Sequence, residues 1–257
     1  PYGGPLENRI RFFRKVAQGI RSTAPGLGIA TRISAFDTVP HVPDPDRHPA
    51  GKLGTGIPED YCGLLPYEYG FGVDREQPLE IDLREPLQML DHLRSMDVNL
   101  VNVTGGSPYY SHHYQRPALY PPSDGYQPPE DPLEGVARHI TITAYLRRYN
   151  PDMIFVGSAY TYLQEFLPNV AQALVRDSWV DFVGLGRMVL AYPELPADVL
   201  SGRELDSRRI CRTFSDCTTA PRAGLVSGCY PLDPYYGRGS LAEALRRAKA
   251  EMARRLQ

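Results

Sequence analysis

The spacing of apolar positions along the chain alternates between two periods. Residues 6–21 carry Ile10, Phe13, Val16, Ala17 and Ile20 at helical spacing, which predicts a helix. Residues 27–34, "LGIATRIS", are short, partly β-branched and end in polar residues, which predicts a strand. Residues 83–96 place Leu87, Leu90, Leu93 and Met96 on one helical face, and 99–104, "NLVNVT", form a strand running into Gly105-Gly106. The same alternation repeats with a helix at 135–149, the strand "MIFVG" at 153–157, a helix at 163–176 and the strand "VDFVGL" at 180–185. A short helix from 196 to about 202 follows Gly186-Arg187.

Four βα units after one leading helix predict an α/β fold with a parallel sheet covered by helices. Four units are half of an eight-unit barrel. The connections are uneven. The helix-to-strand links are short, whereas residues 35–82 and 105–132 are long, Pro- and Tyr-rich strand-to-helix loops. In a parallel barrel such loops share the carboxyl face, where binding sites are built. Packed caps with no direct role are the alternative reading.

Composition narrows the classes. The chain has 257 residues and a formal net charge of −2, enough length for one large core and no support for a nucleic-acid partner. No apolar run reaches the roughly 18 residues of a membrane span, and no export leader is evident, so a cytoplasmic setting is expected. Four cysteines in this length do not make a disulfide framework.

The candidate chemistry lies at the strand ends. "FVGSAYT" puts Gly157-Ser158-Ala159 between a strand and a helix, and "GLGRMVLAYPELP" does the same with Gly186-Arg187. Small residues there let backbone N–H groups approach a phosphate, and an arginine adds a charge-assisted contact. A plain tight turn is the competing reading for each glycine. Arg32 ends the first strand among apolar residues, where a charge needs a partner. It is expected either to pair with Asp37 or to face an anionic cofactor.

These segments carry a resemblance. "YGGPLENRIRFF", "ATRISAFD", "FVGSAYT" and "VGLGRMVLAYPELP" occur in the order and approximate spacing of motifs in the Old Yellow Enzyme family of FMN-dependent oxidoreductases. Pro5 stands where that family usually has Ser. The resemblance covers residues 1 to about 205 and implies a (β/α)8 barrel with FMN in its mouth. It implies that Arg32 approaches the N1/O2 edge of the flavin, and that Gly157, Ser158, Ala159, Gly186 and Arg187 meet the FMN phosphate. NAD(P)H is the implied co-substrate, and an activated C=C in a small molecule the implied hydride acceptor. In the family the opening motif follows the fourth strand. The chain is therefore expected to be the C-terminal half, strands five to eight, of a barrel. The N-terminal half would be supplied in cis or in trans, and the catalytic residues would lie upstream. A non-catalytic half-barrel that binds a phosphate ligand and pairs with a partner is the alternative.

Residues 206–257 form a C-terminal extension. Some larger members of that family, resembling dienoyl-CoA reductases, carry four cysteines in the corresponding region as [4Fe–4S] ligands. Cys217 and Cys229 keep the eleven-residue spacing of that pattern, Cys211 is one residue out of register, and the second cysteine is absent. The segment is expected to pack as ordinary structure, with an iron–sulfur site at Cys211, Cys217 and Cys229 as the weaker alternative. Ser240 and Glu243 suggest a capping box opening a terminal helix. Beyond the second strand, Tyr109, Tyr110 and His112 are candidates to face a substrate. Adjacent His112 and His113 are not expected to face one point. The arginine pairs at 147, 208, 246 and 254 read as solvated helix faces or ends.

Overall fold

The computed structural model describes residues 2–46 and 53–255. Pro1, residues 47–52 of the first long loop and the last two residues lie outside the described residues. A helical turn, α1 (Leu6–Arg9), and α2 (Arg11–Thr23) lead into β1 (Ala30–Ser34). Two short strands, β2 (His41–Pro43) and β3 (Gly56–Pro58), pair antiparallel inside the first long loop. Then come α3 (Arg84–Ser95), β4 (Leu100–Thr104), the one-turn helix α4 (His112–Gln115), α5 (Pro132–Tyr149) and β5 (Ile154–Gly157). A 3-10 segment, Tyr160–Phe166, runs into α6 (Leu167–Arg176) and β6 (Phe182–Val183). After a second 3-10 turn, Arg187–Leu190, follow α7 (Leu195–Leu200), α8 (Asp216–Arg222) and α9 (Gly239–Arg255).

The sheet runs β1-β4-β5-β6, all parallel, with neighbours in chain order. A doubly wound sheet reverses its order midway. This one does not, so it is compatible with an arc of an α/β barrel. Its two faces differ. Ile33, Val101, Val103 and Phe155 point to one side and pack on Leu90 and Leu93 of α3 and Ile142 and Leu146 of α5. The alternate residues form rows on the other side, and the ladder places Arg32 beside Asn102, Asn102 beside Val156 and Val156 beside Phe182. Arg32 and Ala30 are exposed there, as are Ile154 and Phe182. Helices therefore cover one face and leave the other open among the described residues.

Several expected boundaries move. The first strand begins at Ala30 rather than 27, because Arg21 Nη1 holds the Leu27 carbonyl at 2.6 Å and ties that segment back to α2. The expected helix at 163–176 is α-helical only from Leu167. Gln164 sits at φ 52°, ψ −123°, and Pro168 in the first turn suits a helix start but not a helix interior. The last strand holds only Phe182 and Val183, since its outer edge has no neighbour in the sheet. Helix α9 begins at Gly239, so Ser240 lies inside it and not at its cap.

Arg147 is not the solvated residue its arginine pair suggested. It grips Asp181 with Nη2–Oδ1 2.8 Å and Nε–Oδ2 3.1 Å, both side chains three-quarters buried. Asp181 Oδ2 in turn accepts the Phe155 N–H at 2.8 Å. This pair stations the start of β6 against β5. Arg209 also departs from the solvated reading, pairing with Glu194 and lying over the Tyr192 ring. None of the described helices is long and apolar enough to cross a membrane.

Candidate functional site

The open face carries a row of hydrogen-bond donors toward the carboxyl ends of the strands. Arg32 leads it, exposed and without an ion pair or hydrogen bond among the described residues. The pairing with Asp37 does not form. The Asp37 carboxylate instead accepts the Ser34 hydroxyl at 3.0 Å, and burial raises its pKa. Next along the row, Asn102 donates from Nδ2 to the Val156 carbonyl and to Ser158 Oγ, each at 2.9 Å. Ser158 Oγ thus already accepts a hydrogen, and its own hydrogen is left for another acceptor. A guanidinium and a hydroxyl in one open row suit an anionic or oxygen-rich ligand. Asn102 gave no signal in sequence, because a lone Asn within "NLVNVT" reads as an ordinary strand residue.

Gly157 is in the expected strand-end position but has a local reason to be glycine. A Cβ there would overlap the hydroxyl of Tyr160. Tyr160 is 1% exposed, its Oη has no hydrogen-bond partner among the described residues, and burial raises its pKa. Ala159 turns the chain out of β5 with φ 76°. Gly184 N–H donates to the Gly157 carbonyl at 2.8 Å, which keeps the ends of β5 and β6 in register. Gly186 is exposed, and nothing lies within 4 Å of where its Cβ would be. Backbone can therefore be approached closely at Gly186, while the covered side of Gly157 is filled by Tyr160.

Arg187 is half-buried and lines two small cavities with the C-terminal segment, beside Arg116 in one and Cys211, Cys217 and Cys229 in the other, while Arg32, Asn102 and Ser158 line neither. Burial, and then the Arg116 charge, lower its pKa to about 10. A cavity of about 10 Å³ is lined by Arg187, Leu190, Cys211, Phe214, Cys217, Cys229 and Pro231. The three C-terminal cysteines thus converge. Yet no described group of three or more His, Cys, Asp or Glu is arranged to hold a metal ion.

The two long loops fold onto each other. Gly56 N–H donates to Gln127 O at 2.9 Å, Gln127 N–H to Gly54 O at 2.8 Å, and His41 N–H to Tyr110 O at 2.7 Å. Beneath them His112 stacks on Tyr126 with centroids 3.9 Å apart, and its Nε2 meets the Tyr126 carbonyl at 3.0 Å. His113 Nδ1 meets the Tyr126 hydroxyl at 2.7 Å. Adjacent histidines therefore do meet one residue, because Tyr126 offers a ring and backbone to one and a distant hydroxyl to the other. Burial is the main cause that lowers His112 to about 4 and His113 to about 2, and it lowers His41 as well. His139, 2% exposed, bonds the Tyr114 carbonyl and is lowered to about 4 by burial. His112 is buried beneath the loops at 8% exposed, whereas Tyr109 and Tyr110 are 75% and 63% exposed.

The C-terminal extension docks on this loop layer. Arg116 reaches Ser215 Oγ and the Phe214 carbonyl, each at 3.2 Å, and Arg222 pairs with Asp124 at 2.6 Å. No protein-family model matches the chain, and no curated protein matches it.

Proposed function

We propose that the chain is the strand-five-to-eight portion of a (β/α)8 barrel that binds FMN in an oxidoreductase of Old Yellow Enzyme type. The observation that carries the reading is the open donor row, Arg32–Asn102–Ser158, on a parallel sheet whose strands follow barrel order. The donor set fits the group. Arg32 is free to neutralise charge on an electron-rich ring edge, and the Ser158 hydrogen is free for a phosphate or ribityl oxygen. Gly186 leaves its backbone accessible beside them. Gly157 and Ala159 shape the turn that presents Ser158, whereas Arg187, expected at the phosphate, packs against the C-terminal segment.

FMN, when bound, supplies hydride transfer from NAD(P)H to an activated C=C. The chain's own residues hold and orient. Asn102 fixes the Ser158 hydroxyl, Arg32 stabilises negative charge, and Tyr109 and Tyr110 stand exposed on the loop layer where a small substrate would approach. Strands one to four, in cis or in trans, complete the barrel and bring the catalytic residues. The open apolar positions Ala30, Ile154 and Phe182 are the surface those strands would cover. Titration of the chain with FMN, with arginine variants as controls, tests the reading.

A further inference from the structure

The C-terminal extension has a core of its own. Ala220 of α8, Leu245 of α9 and Tyr230 between them pack together, with Leu225, Tyr236 and Leu241 beside them, and none of these belongs to the two larger clusters. Lys249 of α9 also pairs with Asp216 of α8 at 2.7 Å. The last residue of the chain in a larger cluster is Cys211. Between Cys211 and α8 the backbone turns at Thr213, which has φ 59° and is 0% exposed. A β-branched residue in the left-handed region is strained, and such strain persists only where the surroundings hold it. The holding contact comes from the second long loop: Leu119 N–H donates to Thr213 Oγ1 at 3.1 Å. A strained residue between two separate cores is a hinge position.

The contacts that dock this small body on the loop are mainly polar. Ser215 Oγ donates to the Tyr120 carbonyl at 2.5 Å, and Ser123 N–H donates to Thr219 Oγ1 at 3.2 Å. Arg116 donates to Ser215 Oγ and to the Phe214 carbonyl, and Tyr120 stacks on Phe214 with centroids 5.4 Å apart. Arg222 donates from Nη2 to the Pro108 carbonyl and from Nη1 to Asp124 Oδ1, each at 2.6 Å, with its guanidinium 5.7 Å from the centre of the Tyr109 ring. All of these contacts end on residues 108–124. Two cavities of about 10 Å³ each remain along the seam, one lined by Arg116, Ser215 and Thr218, the other by Leu190, Phe214 and Cys229. A polar seam with gaps belongs to the low-stability end of a structure, where segments open without the whole chain unfolding.

We propose that α8 and α9 form a latch, hinged at Thr213, that holds the second long loop in place. Docked, the latch fixes a loop that is rooted at Gly105 and Gly106, just past β4, and carries the exposed Tyr109 and Tyr110. Undocked, it frees residues 107–124 while the sheet and its covering helices stay folded. Arg222 is the catch, since its one guanidinium ties the start of the loop at Pro108 to a later part at Asp124. Thr213 gives up its strain when the latch opens, so docking and opening lie close in free energy. The device is independent of the flavin reading.

The test is amide hydrogen exchange of the folded full chain at pH 7, resolved at single residues. Leu119 and Ser123, whose N–H groups bond the latch, should exchange at similar rates and at least about tenfold faster than Val101 and Val103 of β4. Arg222→Ala should speed Leu119 and Ser123 at least about tenfold further and leave Val101 and Val103 unchanged. Asp124→Ala, which removes one of the two Arg222 contacts, should have the same effect more weakly. Wild-type exchange at Leu119 and Ser123 no faster than in β4 would overturn the proposal, as would unchanged rates there in Arg222→Ala. Equal acceleration at all four amides, or unfolding of that variant, would also overturn it, because latch and sheet would then open as one unit.

Discussion

The amide nitrogen of Asn102 lies 2.9 Å from the hydroxyl oxygen of Ser158, a contact made across two adjacent parallel strands. It joins the middle of β4 to the end of β5 and decides which way the Ser158 hydrogen can point. Asn102→Ala removes this bond and the one to the Val156 carbonyl. We expect a loss of about 1–2 kcal/mol in urea unfolding. We also expect weaker FMN binding than the stability loss alone explains, because the Ser158 rotor is set free. Wild-type stability and affinity in the variant would show the contact to be idle.

Three buried histidines and the half-buried His41 set the acid limit of the fold. His41, His112, His113 and His139 all have pKa values lowered in the folded chain, so their neutral forms are favoured there. Unfolded histidines titrate near 6.5, and the unfolded state therefore binds more protons below that pH. Stability should be flat above about pH 7 and fall as pH drops from about 6.5 toward 4. His112 and His139, each lowered to about 4, would contribute roughly 3 kcal/mol apiece over that range. Denaturant midpoints measured at pH 7 and pH 5 check this, and equal midpoints would refute it.

Gly157 and Tyr160 should behave as one unit. Gly157→Ala forces a methyl onto the Tyr160 hydroxyl and should cost about 1–3 kcal/mol. Tyr160→Phe removes a buried hydroxyl that has no partner, and should be neutral or slightly stabilising. The double variant should recover much of the glycine's loss. A double-mutant cycle that closes additively would place the cost elsewhere.

The Arg147–Asp181 pair should matter more than an exposed ion pair. Arg147→Ala leaves Asp181 three-quarters buried beside the Phe155 N–H, with an expected loss of about 1–2 kcal/mol. The Arg147 hydrogen bond lowers the Asp181 pKa, so this contribution is complete at neutral pH and disappears as pH falls through the folded value, below 3.8. Thermal melts of the variant at pH 7 measure it; an unchanged midpoint would mean that solvent already screens the pair.

The order of helices and strands was legible in the sequence because each buries one periodic face. The positions of Leu90, Leu93, Val101 and Val103 announce the covered side of the sheet directly. The loop layer was not legible. His41, His112, Tyr126 and His139 come from three separate segments, and no spacing rule relates residues that meet only after the loops pair. Ser158 and Arg32 could be placed at strand ends from local pattern alone. The packing of Arg187 beside Cys217 depends on how residues 206–230 dock, which local pattern does not encode. The length of β6 was overestimated because "VDFVGL" has strand composition but no outer neighbour to pair with.

The central claim is that the carboxyl end of this sheet is an FMN site. A titration of the chain with FMN, followed by quenching of flavin fluorescence, tests it most directly. The account predicts saturable quenching, at least about tenfold weaker in Arg32→Ala, with the fold of the variant intact by circular dichroism. No quenching by a folded wild-type chain, or binding that the substitution does not alter, would contradict it.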